Sequence, residues 1–290
     1  MSNSSDVSNI LNPEYYYRIL FKKFTSKEIE KFNNSVSTQF EKIVWTDETY
    51  SEWKARTYLS IKMCLASTVL LSSLIYSKDK NLKVVEPYLL YYSLLNCSRA
   101  FLSLYPTEKW DNGKMIKSNH SKIINCAASY IQIINKQYAS DFKNDFIKLK
   151  DYREAFSYIF PSDGLELFGV DITIGKIEEY CTLLLELAQF SSEILSRIYI
   201  KKNVGLPVKI FLENFRDPLL SIDFSGRKIR SKEDWYRLDY MARKHDKLYT
   251  LHHTMSEGMI EDFFSEWCTE YEKDNLYNPD DSWQLLFDVP

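Results

Sequence analysis

Arg99 is the one charged side chain between Glu86 and Glu108. Around it, residues 87–106 read PYLLYYSLLNCSRAFLSLYP, apolar on every side of a helix, which is the pattern of a helix buried in the centre of a domain. A guanidinium in such surroundings needs an anion or a ring of acceptors, because a buried unpaired charge costs several kcal/mol. Asn96 lies about one helical turn before it, and the first histidine of the chain, His120, follows a loop. An arginine and a histidine on adjoining helices suit phosphodiester chemistry: the arginine stabilises charge on the phosphate and the histidine relays a proton. The other reading is structural, with Arg99 tying a helical hairpin to a carboxylate or to helix-end carbonyls. Both stand at this point.

Three further clusters offer chemistry. In the C-terminal third, Arg227, Lys228, Arg230 and Arg237 stand among aromatic residues that include Trp235. Cations neutralise phosphates and rings stack on unpaired bases, so these five are candidate RNA contacts; the alternative is a solvated face balanced by neighbouring acids. Farther on, Glu261, Asp262, Glu266 and Glu270 recur at helical spacing and form a candidate surface for a basic protein partner such as a toxin. His245, Asp246, His252 and His253 lack the HxxxH or HExxH spacing of a zinc site. They are expected to be surface side chains, with no metal and no cofactor. No GxGxxG, P-loop, GxSxG or CxxC occurs, so the common dinucleotide, NTP, esterase and zinc signatures are missing.

These residues must be positioned by helices. The chain has 290 residues, 45% hydrophobic and 27% charged, with only 7 Gly and 8 Pro. So little turn punctuation fits long helices better than a sandwich or barrel. The expected fold is mainly α, an antiparallel helical bundle core with a small extended patch near 204–224. Helices are predicted over 26–40, 48–76, 87–106, 120–138, 141–160, 175–199, 231–245 and 248–271. A short strand is expected over 165–174, and extended segments over 204–212 and 219–224. The helices over 48–76 and 87–106 should form an antiparallel hairpin. Residues 1–200 read as a helical domain and 201–290 as a helical extension, or the whole as one domain.

The net charge of −3 does not suit an indiscriminate nucleic-acid binder. Five cysteines without a close pair read as core residues in a reducing compartment. The first residues carry no basic and apolar leader, and the most apolar window, 59–76, is interrupted by Lys62 and falls short of a spanning helix. A cytoplasmic protein away from membranes is expected.

YYSLLNCSRAFLSLYP, followed at a distance by KSNHSK at residues 117–122, resembles the HEPN superfamily of helical proteins, most of all its YaaC-like branch. The resemblance covers about residues 48–138. Active HEPN ribonucleases carry the arginine and histidine a few residues apart; here Tyr105 stands in that region and His120 comes later. The resemblance implies a non-catalytic interaction protein of a bacterial conflict system, an immunity protein, antitoxin or phage-defence component, binding a protein or RNA partner. The alternative it implies is a metal-independent endoribonuclease using Arg99, His120 and Asn96. It also implies that a homodimer could form through the face carrying the arginine.

Overall fold

The structure is a computed structural model that describes residues 14–115, 117–164, 166–169, 171–202, 212–268 and 276–288. It is mainly α with one two-stranded sheet among the described residues. Its axis is a hairpin of two long helices, α3 (Asp47–Asp79) and α4 (Glu86–Ser103). They are joined through Asn81, whose φ of 58° turns the chain back. Pro87 lies in the first turn of α4, where a missing N–H costs nothing.

The serines that make the α3 window look polar bind the partner helix. Ser60 Oγ donates to the Ala100 carbonyl and Ser67 Oγ to the Ser93 carbonyl, each at 2.9 Å. Their small size lets the backbones approach, and the hydrogen bonds satisfy them in a dry interface. By length and composition α3 could cross a membrane, but 67% of its apolar window is buried inside the protein. It is the core helix of this fold.

Around the hairpin lie α1 (Leu20–Lys23), α2 (Ser26–Phe40), α5 (His120–Ile134), α6 (Lys136–Tyr158) and α7 (Ile174–Lys201). Helix starts follow the sequence signals: Thr25 and Glu28 form a capping box, and Thr46, Asn119 and Thr173 cap α3, α5 and α7. The predicted helix over 120–138 is divided at Asn135. This residue adopts extended dihedrals and its side chain accepts from the Tyr138 N–H, ending α5 and capping α6 in one stroke. Among its described residues, the strand expected over 165–174 is replaced by a 3₁₀ turn, Glu166–Phe168, and the Thr173 cap of α7.

The last third follows with α8 (Glu213–Leu220), β1 (Ser221–Phe224), β2 (Arg227–Arg230), α9 (Lys232–Lys244), α10 (Leu251–Thr254) and α11 (Glu257–Ser265). The extended segment expected over 204–212 lies outside the described residues except Leu212, which caps α8. Strands β1 and β2 pair antiparallel through Ser225 and Gly226 at φ 50° and 73°, the doubly left-handed turn that suits a two-residue hairpin. The single helix expected over 248–271 is instead two, parted by extended residues at Met255 and Ser256. Buried side chains of α7 take the first N–H groups of α10: Ser192 Oγ accepts from Leu251 and Gln189 Oε1 from His252.

These late elements dock on α3. Tyr58 and Lys62 both bind the Asp234 carboxylate, at 2.6 and 2.5 Å. Tyr50 donates to the Asp246 carbonyl, and Lys54 to the carbonyls of His245 and Lys247. One continuous apolar core runs from Tyr15 to Phe287.

Arg56, which nothing in the sequence had singled out, is 2% exposed. Its Nε donates to the Ser103 carbonyl at 2.7 Å and its Nη2 to those of Tyr105 and Glu108 at 3.0 and 2.8 Å. Nη1 meets the Glu52 carboxylate at 3.0 Å, and the guanidinium lies 4.1 Å from the Trp53 ring centroid. The hairpin-tying role considered for Arg99 therefore belongs to Arg56.

Two predictions follow from this framework. Arg56→Met strands three carbonyls and is expected to lower unfolding free energy by about 3–5 kcal/mol in urea titration, with Arg56→Lys restoring only part. The second concerns Glu186, which is buried on α7 and accepts from the backbone N–H groups of Arg18, Ile19 and Leu20. Burial pushes its carboxyl up to about 7 despite those donors. The folded chain thus holds a proton that the unfolded chain has released. The resulting stability is present below about pH 4.5, the ordinary value, and is lost as pH rises to about 7. Denaturation midpoints across that window should shift in favour of Glu186→Gln over wild type as pH rises.

Candidate functional site

With Arg56 holding the end of α4, Arg99 points elsewhere. It lies one turn before that end, half-buried, with Nη1 3.4 Å from Asn96 Oδ1. Its Nε is buried and has no hydrogen-bond partner. Burial lowers its affinity for a proton, with the Tyr91 and Tyr92 hydroxyls acting the other way; a guanidinium stays charged all the same.

Helix α5 begins with His120 and packs beside α4. The imidazole Nδ1 is 2.7 Å from the Tyr91 hydroxyl, and Tyr91 lies two turns before Arg99 on the same helix. From α6, the Arg153 guanidinium sits 5.1 Å from the Tyr91 ring centroid and 5.9 Å from that of Tyr92. Its Nη2 reaches Glu154 at 3.3 Å, while its Nε is buried without a partner. Lys150 approaches the same carboxylate at 3.5 Å. These side chains frame an open hollow of about 510 Å³, lined by Arg99, Lys117, Ser118, Asn119, His120, Ser121, Lys150 and Glu154.

The hollow is electropositive. Its lining carries three fixed cations against the single carboxylate of Glu154. His120 responds to this: burial and then the charges of Arg99, Arg153 and Lys150 hold its pKa below the ordinary 6.5, with Glu154 opposing. The imidazole is therefore neutral at pH 7, as a proton acceptor requires. Chemically, the arrangement can hold an oxyanion between guanidinium and ammonium groups and place a neutral base beside it.

Arg99 and His120 line one hollow, while Asn96 contacts Arg99 without lining it. The structure does not gather the five candidate RNA contacts. Arg227, Lys228 and Arg230 are exposed on β2. Lys228 and Arg230 share Asp217, at 2.6 and 3.4 Å. Arg237 is only 9% exposed and donates to the Asp262 carbonyl at 2.9 Å; it pins α11 to α9 and is no surface cation. Trp235 is half-buried against the core.

Lys228 does connect with the hollow through a neighbour. A second hollow, lined by Gly113, Lys114, Lys117, Asp217, Ser221, Asp223 and Lys228, shares Lys117 with the first.

Of the acidic candidates, Glu261, Asp262 and Glu266 are exposed on and just after α11, and Glu270 lies outside the described residues. The helix that was to carry all four ends at Ser265. Of the group expected at the surface, His252 departs: it is 4% exposed, with Nδ1 unpartnered, because α10 is tucked against α7, whereas Asp246 and His253 are exposed and His245 is half-buried. His253 Nε2 lies 3.1 Å from Glu14 Oε2. Ligand atoms of Glu14, His252 and His253 lie within 4.8 Å of one another, so these three could hold a nitrogen- and oxygen-bound metal ion.

Sequence reasoning missed Lys150, Arg153, Glu154 and Tyr91. Lys150 and Arg153 recur three apart on an amphipathic helix, which reads as an ordinary solvated face until α4 is placed beside it.

An oxyanion bound here should reverse the shift on His120. In a histidine NMR titration, inorganic phosphate is expected to raise the His120 pKa relative to chloride at equal ionic strength. Arg99→Ala should abolish the rise, and an unchanged titration in wild type speaks against an anion site.

No family model, curated protein or solved structure matches the chain.

Proposed function

We propose that the chain is a HEPN-type protein of a bacterial conflict system that grips the phosphodiester backbone of RNA in the Arg99–His120 hollow. The observation that carries this reading is the half-buried Arg99 guanidinium, whose Nε no protein group satisfies, facing a hollow shared with Lys117, Lys150 and His120. Lys117 also lines the neighbouring hollow, where Lys114 and Lys228 stand paired with Asp111 and Asp217, so the phosphate grip rests on the Arg99–Lys150 hollow. The resemblance of residues 48–138 to the superfamily supports the conflict setting.

His120 favours a second reading, cleavage of the bound strand. A neutral imidazole beside an arginine can take the 2′-hydroxyl proton as O2′ attacks phosphorus. The P–O5′ bond then breaks, leaving a 2′,3′-cyclic phosphate, and the departing O5′ collects a proton. Arg99 would stabilise the charge on the non-bridging oxygens. No metal is required for this route.

The test is fluorescence anisotropy of a labelled single-stranded RNA in EDTA, with the same samples run on a denaturing gel. Wild type is expected to bind, with affinity falling as salt rises. Arg99→Ala should weaken binding about tenfold or more, the equivalent of one charge-assisted hydrogen bond of roughly 1.5–3 kcal/mol, with its thermal unfolding unchanged. Intact RNA on the gel supports the binder; a fragment ending in a cyclic phosphate that disappears in His120→Ala supports the nuclease. Absence of binding by wild type overturns both.

A further inference from the structure

Arg99 borders a second, very different space. On the side of it toward α3 is a hollow of about 120 Å³ walled by Leu59 and Met63 of α3, Leu102 of α4 and Ile123 and Cys126 of α5. Arg99 and Ser118 line both this hollow and the cationic one. Arg99 therefore borders both the apolar space and the proposed phosphate position.

The apolar space also has polar lining, Ser103, Ser118, Lys122 and the carboxylate of Glu108. Glu108 lines it, with one carboxylate oxygen receiving the Tyr130 hydroxyl at 2.5 Å and its backbone carbonyl already taken by Arg56. The Cys126 thiol is raised by burial and then by this same carboxylate, so the charge reaches the wall where a ring would lie. Apolar walls remove a flat ring from water, and a carboxylate accepts from an exocyclic amine such as the N4 amine of cytosine. A phosphate clamp and a mainly apolar slot bearing a carboxylate acceptor, both bordered by one arginine, match the two ends of a nucleotide.

We infer that the apolar hollow seats the base of the nucleotide whose phosphate Arg99 holds, and that Glu108 accepts a hydrogen bond from an amine-bearing base. This rests on the RNA-binding reading above and adds to it a base subsite. The backbone grip alone is indifferent to sequence; the subsite makes the protein distinguish a strand with bases from a bare sugar–phosphate chain.

Cys126 reports on the subsite directly. It is partly exposed, as is Cys268 far from the hollow, whereas Cys64, Cys97 and Cys181 are buried. The experiment measures iodoacetamide alkylation of wild-type protein at Cys126 and Cys268 by peptide mass spectrometry. It is run without nucleic acid, with a cytidine octanucleotide at a concentration that saturates anisotropy, and with an octamer of abasic spacers at the same concentration. The cytidine octamer is expected to slow alkylation of Cys126 several-fold and leave Cys268 unchanged, while the abasic octamer leaves both unchanged. RNA binding without protection of Cys126, or equal protection by the abasic octamer, overturns the base subsite and leaves the backbone grip standing. Failure of the cytidine octamer to bind at all overturns the reading on which the subsite rests, and the subsite with it.

Discussion

The contacts of Arg56 set the geometry of everything around the hollow. A helix ends with carbonyls that have no partner of their own, and the last residues of α4 are buried. Arg56 reaches across from α3 and supplies three donors to the carbonyls of Ser103, Tyr105 and Glu108. Its own charge is met by Glu52 and by the face of Trp53. The start of the loop that leads to His120 is thereby bolted to the longest helix in the molecule. Taking a guanidinium out of water is costly, and only this number of well-placed acceptors offsets that cost.

Because the end of α4 is already served, the second arginine of the hairpin is left over. Arg99 has one long contact to Asn96 and an unsatisfied Nε. Arg153, from α6, also has an unpaired Nε, but its Nη2 reaches Glu154 and its guanidinium lies over Tyr91. The rings of Tyr91 and Tyr92 hold the Arg153 guanidinium without neutralising it, since a ring quadrupole attracts a cation but carries no net charge. The outcome is a wall of fixed positive charge around a neutral imidazole. Such a wall is stable only because part of it stays wet, and it gains most from an anion that enters.

How much of this was legible follows from what each signal measures. The central helix, its hairpin partner and the capped helix starts depend on local spacing and on side chains that bind their own backbone, so Pro87, Thr25, Thr46 and Asn119 could be read directly. The meeting of Arg99 with His120 rests on one hairpin and one loop, and the sequence carries it as far as proximity. Contacts between distant segments leave no such trace. Arg56 reads as one polar residue in a long helix, Glu186 as a surface acid within an amphipathic run, and Arg237 as one more member of a basic cluster, yet all three are buried. The start of α10 has both kinds of signal: Thr250 caps it locally, while Gln189 and Ser192 of distant α7 take the N–H groups of His252 and Leu251. Asn135 is the opposite case, a local capping residue whose message was drowned by the apolar periodicity on either side.

The long helix α3 has a consequence beyond its role as core. Within four turns it presents Tyr50, Lys54, Tyr58 and Lys62 to Asp234 and the 245–247 carbonyls, and Arg56, from between them, to the loop before His120. A single rod thus grips the last third of the chain on one flank and, on the other, the start of the loop that leads to His120. Severing the polypeptide near residue 200 would bare a strip of tyrosines and amines evolved for interior duty. The pocket and the tail are, mechanically, two loads on the same beam.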